Sequence, residues 1–456
     1  MEIYALIAFA ILLIFIGQKT ASAQTSDAFH VEGKNVGLNK IVFGIFSVIG
    51  GGEFIYMSSL SYSFGIGSVL LFLSAALGAF ILAKMIPNIR KFNAEGLKDK
   101  ELEIFSIPDL AYVYNGRKCA VLTFVYTLGA LGSLLLIQYA IGGEVLGILT
   151  GIPYEYSVGI MAVTICIYVY RGGFNSILVT DIIQIVSLFL IFGLIAFFMD
   201  SPVESPKEVM SLSSLPDWST SLLLFFGGLA FFLGGGDIWH RLLAADSDKT
   251  AQKALYINIV LFLLFGALLA YIGTRFLGAF PEGSVYGDTT IIADNSFFVL
   301  LKTLPDFLKV IIALGLFAGL VSSSDTELHT ISTLLNKEMS RGSQKEIPLN
   351  RTRKIIILVT AVSAFLAIVL KDSLVDVYLV LLNFFIILMG FTIPTALGYG
   401  KPVITFISLC LSGIILSYLV VTGAINDGVN AVFVGLPTLI GGFLGGRANV
   451  VVGKAN

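Results

Sequence analysis

The chain has 456 residues, of which 56% are hydrophobic and only 13% are Asp, Glu, Lys or Arg, at a mean hydropathy of +0.92. A soluble protein of this length carries about a quarter charged residues, so a water-soluble domain of useful size is excluded. The net charge of −2 says nothing about partners.

The apolar residues fall in blocks of roughly 18 to 28 with few or no charges, long enough to cross a bilayer as helices. The fold class expected is all-α, a polytopic membrane protein of about thirteen transmembrane helices. The spans run near 3–17, 40–63, 66–87, 119–147, 152–170, 176–199, 218–240, 253–280, 305–336, 354–371, 374–397, 402–422 and 428–446. The first is short, and the "ASAQT" after it looks like a signal-peptidase site. The start "MEIYAL" lacks the basic residue a signal peptide normally has, so 3–17 is read as an extra N-terminal helix.

An odd span count puts the termini on opposite sides, and the charges choose which. With the N-terminus outside and the C-terminus in the cytoplasm, all but five of the 28 Lys and Arg fall in inner loops; Lys207, Arg275, Lys302, Lys309 and Lys371 stand outside. That bias follows the positive-inside rule and fixes the orientation; a plasma or inner membrane is the expected location.

"IGGGE" (Ile49 to Glu53) lies in the second span and "LGGGD" (Leu233 to Asp237) in the seventh. Five spans separate them, so the two segments cross in opposite directions. That pairing is the signature of a five-plus-five inverted repeat with discontinuous first and sixth core helices around a midplane site. The repeats are 40–199 and 218–397, within a single transporter domain of 1–456, followed by two C-terminal helices over 402–446. Breaking a helix in a bilayer frees backbone groups, tolerated only inside protein or at a cavity, where the carbonyls can coordinate a cation. The bland alternative is that the glycines allow close helix packing. "GGGEF" also resembles a diguanylate-cyclase signature, but that chemistry needs a soluble domain, and here the motif is inside a span.

Ionisable residues inside spans are functional candidates. Asp181 lies between Thr180 and Gln184; Asp325 lies among Ser322, Ser323, Ser324 and Thr326. This oxygen-only environment suits a hard cation. The bland readings are a capping role for Asp181, helix–helix hydrogen bonding for the serines, and a snorkelling or neutral Glu53. Cys119, Cys166 and Cys410 are far apart and form no disulfide or metal pattern. His30, His240 and His329 lack metal-ligand spacing and read as loop or packing residues; Arg241 and "AADSDKTA" read as a solvated cytoplasmic turn. No catalytic constellation is visible, so an enzyme is not expected.

Several segments together resemble the sodium:solute symporter family over about residues 20 to 400. "SDAFHVEGKNVGLNK" resembles the stretch before its first core helix and "EFIYMSSLSY" that helix itself. "YVYRGGFNSILVTDIIQ" resembles its fifth core helix, "DIWHRLLAADSDKTAQKA" the element after its sixth, and "LFAGLVSSSDTELHTIST" its eighth. The resemblance implies a fold like that of the leucine transporter, sodium as coupling ion, no organic cofactor, and a small polar solute, sodium and the bilayer as partners, without nucleic acid. Oligomeric state is left open.

Carried over by residue, the resemblance implies a sodium site of backbone carbonyls at Phe46, Ile49 and Gly319 with the hydroxyls of Ser322 and Ser323. Asp181, with Asp325 and Thr326, would form a second cation or proton site. Gly50, Gly51, Gly52 and Glu53, with Gly235, Gly236 and Asp237, would face the solute. Asp325 departs from the family's usual small or hydroxyl residue, which keeps proton coupling open as an alternative. Glu53 stands where sugar-carrying relatives have a neutral amide, which favours an amino acid or amine-like solute, or a protonation site. The expected function is sodium-coupled symport by alternating access; a non-transporting solute sensor on the same scaffold is the second alternative.

Overall fold

The computed structural model describes residues 11–12, 14–15, 18–19, 25–49, 51–94, 104–202, 205–341 and 347–447. The first expected span, 3–17, lies largely outside the described residues, and with it the total of thirteen.

The described chain is helical apart from one two-stranded hairpin. In order come α1 (Ser26–Val31), α2 (Leu38–Ser47), α3 (Gly51–Phe64), α4 (Val69–Ala94), α5 (Ile107–Asn115), α6 (Arg117–Thr150), α7 (Tyr154–Phe198), α8 (Pro206–Leu212), α9 (Trp218–Gly234), α10 (Gly236–Ala244) and α11 (Asp248–Ala279). Then follow β1 (Val285–Tyr286), β2 (Thr289–Thr290), α12 (Ala293–Thr303), α13 (Asp306–Ser340), α14 (Leu349–Val369), α15 (Leu374–Ala396), α16 (Pro402–Thr422) and α17 (Gly428–Leu444). Among the described residues, nine helical stretches are long and apolar enough to cross a membrane, and α2 and α17 are shorter apolar helices.

Both glycine–acid segments interrupt a helix. After α2, Val48 and Ile49 turn back on Ile45 and Phe46, whose carbonyls accept their amides at 3.4 and 3.1 Å, before α3 starts at Gly51. Between α9 and α10, Gly235 is extended at φ −69° and ψ 102°. The halves α2 and α10, of 10 and 9 residues, are each about 15 Å long at 1.5 Å per residue, half a bilayer. The packing alternative holds at the same place. A Cβ on Gly234 would sit 2.3 Å from the Phe385 carbonyl oxygen, and one on Gly236 2.7 Å from Thr127 Cγ2. The glycines both end the helix and admit its neighbours.

The 45 residues of α7 exceed one crossing about twofold, and the element is two helices. Gly173 has φ 65° and ψ −172°, outside the helical region. The Tyr168 hydroxyl meets Thr180 Oγ1 at 2.5 Å, although twelve residues of straight helix would separate them by about 18 Å. The chain therefore folds back at Gly173, as the expected pair 152–170 and 176–199 requires.

α13 and α15 bury 71% and 72% of their apolar windows, against 33% for α14 and α16. The first pair forms the centre of the bundle and the second pair its lipid-facing rim. The architecture is an all-α inverted repeat with discontinuous first and sixth core helices, α2/α3 and α9/α10. Short helices α1, α5, α8 and α12 lie between the spans and were not expected.

Candidate functional site

Four elements converge at the end of α2. The second half of α7 brings Asp181. α13 brings Ser322, Ser323, Asp325 and Thr326, one to one-and-a-bit turns of a single helix. α2 ends there with Ser47, and α10 brings Arg241 back into the bundle. All of these side chains are buried.

One guanidinium nitrogen organises the cluster. Arg241 Nη2 donates to Thr326 Oγ1 at 2.5 Å, Asp181 Oδ2 at 3.2 Å and Ser47 Oγ at 3.4 Å. Ser322 Oγ donates to Asp181 Oδ1 at 2.6 Å, and Ser323 Oγ donates to the Ser47 carbonyl at 2.9 Å. Thr326 Oγ1 donates to the Ser322 carbonyl at 3.0 Å and lies 3.3 Å from Asp325 Oδ1. Arg241 and Asp181 are both 0% exposed, so each charge has left water and depends on the other. Polar capacity remains unused: Arg241 Nε and Nη1, Asp325 Oδ2 and both amide atoms of Gln184 have no hydrogen-bond partner among the described residues. Buried polar atoms are ordinarily paired, so the cluster concentrates unused hydrogen-bonding capacity in one place.

Arg241 corrects the sequence reading. It is not in a solvated turn: with Trp239 it is among the largest fully buried side chains of the protein. The expected seventh span ended at residue 240, four residues before the helix does at Ala244. Arg241 stands four residues after Asp237 on the half helix α10, a spacing that puts both on one face. Ser47 was also missed, because its part is played partly by a backbone carbonyl that leaves no side-chain signal.

The expected residues distribute as follows. Asp181, Ser322, Ser323, Asp325 and Thr326 come together, so the two expected ion sites form one contiguous cluster. Gly319 is buried on α13 one turn before the serines. Phe46 and Ile49 flank the α2 break; the Phe46 carbonyl accepts from Ile49 N, and the Phe46 ring lies in an aromatic cluster with Phe189, Phe262 and Phe265. Asp237 is buried at the first turn of α10, where its Oδ1 accepts from Ile238 N at 2.9 Å while Oδ2 has no hydrogen-bond partner among the described residues. Gly235 and Gly236 form the α9/α10 break. Gly51 and Gly52 open α3; Gly50 and the side chain of Glu53 lie outside the described residues.

The half helix α10 is held at its far end by α4. Arg90 donates from Nη1 to the carbonyls of Leu242 (2.8 Å) and Leu243 (3.1 Å), from Nη2 to that of Ala245 (2.8 Å), and from Nε to Asp248 Oδ1 (2.7 Å). A cation on the last carbonyls of a helix satisfies orphan acceptors and opposes the negative dipole end. Nearby, Asp109 of α5 is clasped by Lys337 Nζ at 2.8 Å and Arg341 Nη2 at 3.0 Å from the end of α13. Burial alone would raise the Asp109 carboxyl, but the two cations hold it below its ordinary value.

The model of the sodium:solute symporter family matches residues 29–215. A spermidine transporter of Candida albicans is 26% identical over 241 residues, 51% of this chain and 44% of that protein, so the chain spans less than half its length. A sodium/glucose cotransporter of Vibrio parahaemolyticus is 23% identical over 79% of this chain and 72% of its own. A solved Na+-coupled sialic acid symporter, in a substrate-bound outward-open state, superposes with a TM-score of 0.78 at 17% identity, covering 99% of this chain and 98% of the other. Residues 29–215 thus resemble the sodium:solute symporter family, and the fold over nearly the whole chain is that of the solved symporter.

Proposed function

We propose that this chain is a secondary active transporter that couples sodium to the movement of a small polar solute by alternating access. The observation that carries the reading is the convergence of the Ser322 and Ser323 hydroxyls and the Asp181 carboxylate on the carbonyl end of the half helix α2. Hydroxyl, carbonyl and carboxylate oxygens are the donor set of a hard monovalent cation. Sodium and solute binding the same state would stabilise it together, which is thermodynamic coupling. The bundle would then rock around the site, with the N-terminus outside and the Arg241 end facing the cytoplasm, as the Lys and Arg distribution supports.

For the solute, an amine-bearing molecule is the narrower reading. Glu53 stands in the first turn of α3, and a relative that spans part of the chain carries spermidine. Other relatives carry glucose or pantothenate, and an amino acid finds no support among them. Proton coupling is the second reading, favoured by Asp325, whose buried Oδ2 lacks a hydrogen-bond partner among the described residues, one helical turn from the Asp181–Ser322 contact.

The test is uptake into proteoliposomes under sodium, choline and proton gradients, after a thermal-shift screen of amines, carboxylates, sugars and nucleobases with and without sodium. A thermal shift that needs both solute and sodium, followed by sodium-driven uptake, is the expected outcome. Uptake driven by a pH gradient and indifferent to sodium would move the assignment to the proton.

A further inference from the structure

All three histidines of the chain meet beside the Arg241 cluster, on three different elements. His240 of α10 and His329 of α13 have ring centroids 5.9 Å apart, and His30 of α1 lies 6.5 Å from His329. His240 Nε2 donates to the His30 carbonyl and His329 Nε2 to the Phe29 carbonyl, each at 2.9 Å. A carbonyl only accepts, so both Nε2 atoms carry a proton, while the Nδ1 atoms are buried with no hydrogen-bond partner among the described residues. His30 itself donates from Nδ1 to the Ser26 carbonyl at 2.6 Å and accepts at Nε2 from the Thr352 hydroxyl of α14 at 2.8 Å.

The segment so gripped has little stability of its own. α1 is six residues long, far below the length at which an isolated helix persists. It leaves through three successive left-handed residues, Glu32, Gly33 and Lys34, at φ 49°, 61° and 55°. The chain then pairs with the loop after α10: Val36 N donates to the Ala244 carbonyl at 3.1 Å, and Asp246 N donates to the Val36 carbonyl at 3.0 Å. Residues 25–36 thus touch the half helix α10, the serine-bearing helix α13 and the rim helix α14 at once.

We propose that residues 25–36 are a latch that fastens α10 to α13 and keeps this end of the bundle shut, with the Nε2–H groups of His240 and His329 as its two catches. Each catch is close in sequence to a member of the ion cluster: His240 precedes Arg241, and His329 stands three residues after Thr326. α10 cannot swing away from α13 without giving up the Arg241–Thr326 contact and at least one catch. Loosening the latch therefore weakens the ion cluster, and filling the ion cluster tightens the latch, because linkage is reciprocal. The latch goes beyond the transport reading and rests on it only in that a path at this end must open.

Hydrogen exchange of the intact protein in lipid nanodiscs, read on peptides covering 25–37, tests it. The parent is compared with a His240→Leu/His329→Leu double variant, which removes both N–H groups, and with His240→Gln/His329→Gln. Gln carries an N–H at about the reach of Nε2 but cannot be protonated. The Leu pair is expected to exchange roughly five-fold faster per bond lost, and the Gln pair to stay near the parent, with 402–422 unchanged in both. Leu and parent rates that coincide would overturn the latch. So would a Gln pair as fast as the Leu pair, since ring packing rather than the N–H bonds would then hold the segment. If the double Leu variant does not fold, single His329→Leu against His329→Gln gives the same comparison. Sodium-driven uptake by the parent judges the transport reading separately and leaves the exchange comparison untouched.

Discussion

Arg241 Nη2 stands 3.2 Å from Asp181 Oδ2, and neither residue reaches solvent. Taking away one partner of such a pair leaves the other charge buried and uncompensated, at a cost of about 3–5 kcal/mol. Arg241→Ala is therefore expected to lower the melting temperature of the detergent-solubilised protein by several degrees. Arg241→Lys, which keeps the charge but not the planar fork, is expected to lose less. An Arg241→Ala protein that melts with the parent would show that the pair contributes nothing to stability.

The same pair sets up the ion-binding prediction. Ser323→Ala and Asp181→Asn each remove one oxygen donor or its charge from the cluster. Each is expected to raise the sodium concentration for half-maximal uptake about tenfold, corresponding to about 1.4 kcal/mol of lost binding. Unchanged sodium dependence in both variants would refute this assignment of the site.

Gly173 makes a third case, at the turn where α7 folds back. Its φ of +65° with ψ −172° lies in a region open essentially to glycine alone, at a cost of about 1–3 kcal/mol for a residue with a Cβ. An added Cβ would also lie 2.8 Å from Phe29 Cδ2 in the latch. Gly173→Ala is expected to accelerate exchange over 25–37 while the α16 segment stays protected. Exchange over 25–37 at the parent's rate would mean that the turn and the latch are independent.

Acid should act on the latch through His30. Burial lowers its pKa from 6.5 to about 4, only partly opposed by the Ser26 carbonyl. For a base whose folded pKa is depressed, the contribution to stability is complete above 6.5 and is lost as pH falls from there toward 4. The full difference is about 3 kcal/mol. Exchange over 25–37, corrected for its intrinsic pH dependence, is expected to rise between pH 7 and pH 5 in the parent and not in His30→Asn, whose amide can still donate to Ser26. A rise of equal size in His30→Asn would assign the effect to another group.

Asp109 behaves in the opposite sense. Its carboxyl is held down by Lys337 and Arg341 against the effect of burial, so its contribution is present above the ordinary carboxylate range and is lost only as pH falls below it. Asp109→Asn is expected to destabilise by about 3 kcal/mol at pH 7 and by the same amount throughout pH 5–8, leaving the shape of the parent's stability profile unchanged. A variant whose melting point recovers at pH 5 would contradict this.

What could be read from the sequence was whatever bilayer physics writes into side chains. The paired triglycines announced the two breaks because glycine is costly inside a helix and freed backbone is costly in lipid. Asp181, Ser322 and Ser323 stood out because polar groups are rare in spans. Arg241 did not, because a half helix that re-enters the bundle looks, in hydropathy, like the start of a loop. Ser47 acts partly through its carbonyl, which every residue possesses. The histidines were read as loop or packing residues. They do pack, but on backbone carbonyls far away in sequence, a relation that no local pattern encodes. α1 and α5 are too short to show a periodicity.

The fork of Arg90 on the last carbonyls of α10 has a mechanical consequence. Nine residues cut off from α9 by an extended glycine have no stiffness to spare, and their order is borrowed from the helix that clamps them. α4 runs for 26 residues, about 39 Å, and ends in that clamp. It is therefore a lever arm: a few degrees of tilt at its distant end become a displacement of α10, and with it of the guanidinium that Arg241 presents to Asp181.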